Sequence, residues 1–141
     1  MKFIIHKQTL QISSLTYKLQ MARDEQLKAR WEQIVKNVSE SFADGEKLDV
    51  EAIIYLIGVQ ELGQLHRKYK KDEKVNLMHI AICKLLEPYG YYRFDFVDAD
   101  GWPHYTLVEE LPPLKAGEQS VLMKEAIVHY FENNGFFENS R

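Results

Sequence analysis

Residues 91–105, YYRFDFVDADGWPHY, gather more chemically capable side chains than any other stretch of the chain. Three carboxylates, a guanidinium, an imidazole and an indole surround one Asp-Gly pair, and Asp-Gly between alternating apolar residues is a strong hairpin signal. Alternation places Tyr92, Phe94 and Phe96 on one face of the first strand, with Tyr91, Arg93, Asp95 and Val97 on the other. A four-residue loop, Asp98-Ala99-Asp100-Gly101, sets Val97 opposite Trp102. A two-residue Asp100-Gly101 turn slides the pairing by two and leaves the faces unchanged. In either register Tyr92, Phe94, Phe96, Tyr105 and Leu107 form an apolar face expected to lie on helices, because a lone hairpin is marginal in water. The opposite face collects Arg93, Asp95, Trp102 and His104. Read plainly, these are solvated cross-strand pairs worth about 0.2–1 kcal/mol each. Read functionally, they are a small recognition surface, since Trp and Arg are enriched at binding hot spots.

Other residues invite chemistry more weakly. Asp98-Ala99-Asp100-Gly101 resembles part of an EF-hand loop. Setting its glycine at loop position six puts Phe96 and Leu107 where acidic ligands are required, so calcium binding by that route fails. Glu125 and His129 stand four apart and could share a metal or a hydrogen bond, but a di-iron bundle needs two Glu-x-x-His motifs and the chain has none. His79 sits in an apolar run with Cys83 one turn further on. A histidine-activated thiolate there is imaginable, although a free cysteine is ordinarily a small buried hydrophobe. His79, Cys83 and Tyr92 are the candidate lining of a pocket between hairpin and helices. The connector from His66 to Lys71 mixes positive charge with Tyr69, the ingredients for phosphate contact and base stacking. There is no Gly-rich phosphate loop, nucleophile elbow, paired-cysteine zinc motif or His-Glu-x-x-His, which weighs against the familiar enzyme classes. No cofactor and no metal are expected.

Helical patterns must position these groups. From about Leu15 onward Leu27, Trp31, Ile34, Val38 and Phe42 recur on one stripe, ending at Gly45. Asp49 is placed to cap a second helix through Leu62, nearly all apolar, with Gly63 as its stop. Gly58 within it costs about 1 kcal/mol against alanine unless another helix crosses closely there. Asp72 should cap a third helix through Leu86, halted by Pro88 and Gly90. A last helix should run from about Gly117 to Phe131. The expected fold is α+β and mainly α, with about four helices and one antiparallel β-hairpin between the third and fourth. The chain reads as a single domain over 1–141, with weak strand character around Phe3, Ile5, Leu10 and Ile12 and with residues 1–14 as a mobile arm.

Length and composition bound the rest. At 141 residues, 45% hydrophobic and 28% charged, the chain is long enough for a core without disulfides or metals. Its net charge of -3 gives no general attraction for nucleic acid or anionic membrane. One cysteine allows no internal disulfide. The opening residues lack the apolar run of a secretory signal, and no stretch approaches the ~20 apolar residues of a membrane span. These features point to a cytoplasmic protein with no membrane partner. The favoured reading is a non-catalytic interaction or accessory protein, binding a protein partner or a second copy through its long first helix and the Arg93/Trp102/His104 face. The alternatives are a small enzyme or small-molecule-binding domain using the hairpin pocket, and a nucleic-acid binder using the 66–71 connector.

Overall fold

The computed structural model describes residues 2–64 and 67–134. Its elements in chain order are α1 (Lys2–Phe42), α2 (Val50–Leu62), α3 (Lys71–Leu86), a 3-10 turn (Glu87–Tyr89), β1 (Tyr92–Val97), β2 (Pro103–Leu107) and α4 (Ala116–Asn133). The four helices and the single antiparallel strand pair between α3 and α4 match the expected architecture. Among the described residues, no helix is long and apolar enough to cross a membrane.

α1 departs from expectation at its start. Strand character was expected around Phe3, Ile5, Leu10 and Ile12, yet one helix runs unbroken from Lys2. No glycine or proline occurs before Asp44, so a helix nucleated further along extends at little cost, and β-branched preference is too weak to stop it. At 1.5 Å per residue, 41 residues make a rod about 60 Å long. Only its second half is built into the core. Ile34, Val35 and Val38 are buried there, with Leu27 and Trp31 packed against them. Phe42, the expected end of the stripe, is 52% exposed. Ser39 is buried instead, and its hydroxyl oxygen accepts from the backbone N–H of Leu48 at 3.0 Å. Gly45, in the left-handed region at φ 88°, closes the helix by donating its N–H to the Ser39 carbonyl.

α2 and α3 form the interior as their composition demands, with Ile53, Ile57, Leu77, Leu85 and Leu86 fully buried. Asp49 caps α2 as expected, accepting from the Ala52 N–H at 2.8 Å. A Cβ added at Gly58 would stand 2.2 Å from the Leu77 carbonyl oxygen, so the two backbones meet closely at that glycine. Asp72 does not cap α3. The helix begins at Lys71, and the Glu73 carboxylate reaches back to accept from the Lys70 N–H at 3.0 Å. Asp72 lies within the first turn, where negative charge suits the helix dipole. α4 runs in the same direction as α1, its start beside Gln20 and Asp24, and is clamped to it by Arg30, which donates from Nε and Nη2 to Glu132 at 2.9 and 2.5 Å.

The hairpin register combines two alignments. Tyr92, Arg93 and Phe94 face Leu107, Thr106 and Tyr105, whereas Phe96 and Val97 face His104 and Pro103, so Asp95 is an extra residue in a β-bulge. The turn falls between the two expected versions. Asp98 donates its N–H to the Trp102 carbonyl at 2.9 Å, leaving a three-residue loop that ends on Gly101 at φ 88°. An odd-length loop and one bulge compensate each other, and the slip turns over the faces nearest the turn.

Candidate functional site

The slip decides where the hairpin candidates stand. Tyr92 and Tyr105 face α3 and the interior as expected. Tyr92 meets His79 edge-to-face at 6.3 Å, and burial holds the Tyr105 phenol far above its usual pKa. Phe94 packs edge-to-face on Tyr105 but stays 45% exposed, and Leu107 is 50% exposed. Phe96, expected on the inner face, is turned outward by the bulge and stacks flat on His104 at 4.6 Å and 3°. Trp102, expected on the outer face, instead packs against Val59, Leu62 and Leu77. Arg93, Asp95 and His104 are exposed; Asp95 accepts from the Thr106 hydroxyl at 3.2 Å, whereas His104 borders the space between α3 and the turn. The four residues expected on one surface are thus divided, with Trp102 partly buried against the core.

A groove of about 480 Å³ separates α3 from the turn end of the hairpin, lined by Asn76, His79, Asp98, Trp102, His104 and Tyr105 among others. Of His79, Cys83 and Tyr92, the expected lining of a pocket here, only His79 borders this groove, which contains a carboxylate–imidazole pair. Asp98 accepts from His104 Nε2 at 2.8 Å through one oxygen and from the Asp100 and Trp102 N–H groups at 2.9 and 3.0 Å through the other. The His104 hydrogen bond and then these amides hold the Asp98 carboxyl below its usual range. Asp98 was not singled out in sequence. Its signal was an aspartate opening a turn, a residue type that commonly caps its own loop.

His79 and Cys83 are brought together as their spacing suggested, with Nε2 and Sγ 3.5 Å apart. Although it stands in an apolar run, His79 is exposed, while Cys83 is fully buried. Burial pushes the Cys83 thiol up to about 11, so at neutral pH it is protonated and not a nucleophile. Glu125 and His129 are both exposed, beside a cleft shared with Arg23 and Arg30. Among the described residues, no three His, Cys, Asp or Glu side chains converge as a metal site would require.

In the basic connector, Leu65 and His66 lie outside the described residues. Arg67 is committed to an ion pair with Glu73 and sits over the rings of Tyr69 and Trp102 at 5.2 and 5.9 Å. The Tyr69 hydroxyl donates to the Gln64 carbonyl at 2.6 Å. Arg67 and Tyr69 therefore pin the connector to the start of α3. An apolar cleft of about 280 Å³ beside Phe42, Leu56 and Phe131 has no imidazole or carboxylate in its lining.

Sequence reasoning missed a polar knot inside the fold. The Tyr130 hydroxyl donates to Glu61 at 2.7 Å across 69 residues of sequence, and Lys84 approaches Glu61 at 3.9 Å and Glu87 at 3.8 Å. Burial, and then the Glu61 bond, hold the Tyr130 phenol far above its usual pKa.

The first half of α1 contrasts with all of this. The first turn of α4 borders α1 at Gln20 and Asp24, so residues 2–19 continue beyond α4 for about 27 Å. Leu15 and Leu19 each keep 60% of their surface exposed and Met21 46%. No family model, curated protein or solved structure matches the chain.

Proposed function

We propose that this is a non-catalytic interaction protein whose docking element is the projecting half of α1, with the half-exposed apolar face of the hairpin as a second contact surface. One observation carries the reading: Leu15 and Leu19 are 60% exposed on a helix whose other half is core. Isolated surface leucines are ordinary. A regular helix about 27 Å beyond its last supporting element is not, because helices in water draw most of their stability from packing. The polar groups of the α3–hairpin groove support this choice by their engagement. Asp98 and His104 bond each other, Glu73 holds Arg67 and the start of α3, and His79 meets Cys83.

Hydrogen exchange along α1 tests the reading. In the dilute chain, amides before Gln20 should exchange far faster than those of Ile34–Ser39, and should become protected when the helix is docked. Equal protection of both halves in the dilute chain would contradict it, since the leucine stripe would then already be covered.

A further inference from the structure

We infer that the apolar cleft beside the C-terminal end of α1 is the seat of Phe136, so that the segment leaving α4 folds over α1 and α2 and covers it, independently of any contact made by the projecting half of α1. Helix direction brings the segment to the cleft. α4 runs the same way as α1 and ends at Asn133, one residue past the Glu132 carboxylate that Arg30 holds. α1 continues from Arg30 to Phe42, about 18 Å at 1.5 Å per residue. A chain leaving α4 in the same sense is headed along this last stretch of α1. The cleft of about 280 Å³ lies there, walled by Val38 and Phe42 of α1, by Leu56 and Val59 of α2 and by Phe131 of α4.

Spacing at the end of α4 brings a ring to that cleft. Asn134 is the C-cap and donates its N–H to the Tyr130 carbonyl at 3.2 Å. Gly135 then occupies the position at which helices commonly turn left-handed, and Phe136 is the residue after it. In that motif the apolar side chain two past the cap packs on the residue three before it, which here is Phe131. Phe131 is the α4 wall of the cleft, and two residues of chain from Asn134 to Phe136 reach about 7 Å. Phe137 takes the opposite side of an extended chain and stays off the seat.

Phe42 is the surface such a ring would cover. The apolar stripe of α1 reaches Phe42, yet this residue, which lines the cleft, is 52% exposed. A ring from the same chain is tethered at an effective concentration on the order of millimolar, which favours it over a free partner of equal chemistry.

Isotope-filtered NMR of the full chain, in an equimolar mixture of 13C-labelled and unlabelled protein, tests this together with Phe136→Ala and Phe137→Ala. Neither residue belongs to the described core, so both variants should keep the native circular dichroism. Nuclear Overhauser contacts should join the Phe136 ring to the Leu56 and Val59 methyl groups within the labelled chain and not across to the unlabelled one. Phe136→Ala should speed exchange of the Asn133 and Asn134 amides about tenfold, whereas Phe137→Ala should change it by less than about threefold. Contacts found only between chains would give the cleft to a second copy and overturn the inference. So would a wild-type spectrum in which Phe136 meets no side chain of the cleft, or equal responses to the two alanine variants.

Discussion

At the scale of single residues, Asp98 shows how a turn residue gains importance from its neighbours. Its carboxylate holds His104 and two backbone N–H groups, and its folded pKa lies below the unfolded value. A depressed carboxyl pKa contributes stability that is fully present above the unfolded value near 3.8 and is lost as pH falls through the folded one. The hairpin should therefore loosen at acid pH before the helical core does, visible as faster exchange at Phe96 and His104. Asp98→Asn should reproduce that loosening at neutral pH; an unchanged hairpin would show the turn is held by Gly101 and the strands alone. Tyr130 has the opposite sign. Its phenol pKa is raised on folding, so its contribution is intact below about pH 10 and declines as pH rises above it. Tyr130→Phe should cost about 1–2 kcal/mol in denaturant unfolding, the loss of a hydrogen bond to a carboxylate, and should blunt the alkaline decline. The link between Tyr130 and Glu61 could not be read from the sequence, because no local pattern joins residues 69 positions apart.

At the scale of elements, the helices were legible wherever composition left one solution. α2 and α3 are apolar nearly all round and had to be interior. Asp-Gly announced the hairpin, and Asp49 announced the start of α2. The failures share a physical cause. Whether a hairpin loop has two, three or four residues is settled by small differences in turn energy and by what the strands pack on. The bulge at Asp95 then exchanged Phe96 and Trp102 between faces, which no alternation rule foresees. The strand expectation for residues 3–12 failed because β-branched residues near a chain end carry little weight against a helix already propagating. Gly58 was the glycine whose cost made sense only if helices cross there, and they do. Gly58→Ala should destabilise the fold by about 2–3 kcal/mol, because the Leu77 carbonyl must move to admit a methyl group. Stabilisation in chemical denaturation, as helix propensity alone would give, would show that α2 and α3 are not in backbone contact.

At the scale of the molecule, the chain joins an acidic helical core to a basic helical arm. The sequence showed the length of α1 only in part, and the stripe it advertised, Trp31 to Val38, is used within the chain's own core. The exposed residues proposed for docking lie earlier, at Leu15 and Leu19, where the pattern is too sparse to stand out until the helix is seen to outrun its support. Hydrogen exchange of the full chain, residue by residue along α1, tests this most directly. Amides before Gln20 should exchange at least about tenfold faster than those of Ile34–Ser39, where Ile34, Val35 and Val38 are in the core. Equal protection along the whole of α1 in the dilute chain would contradict the projecting arm.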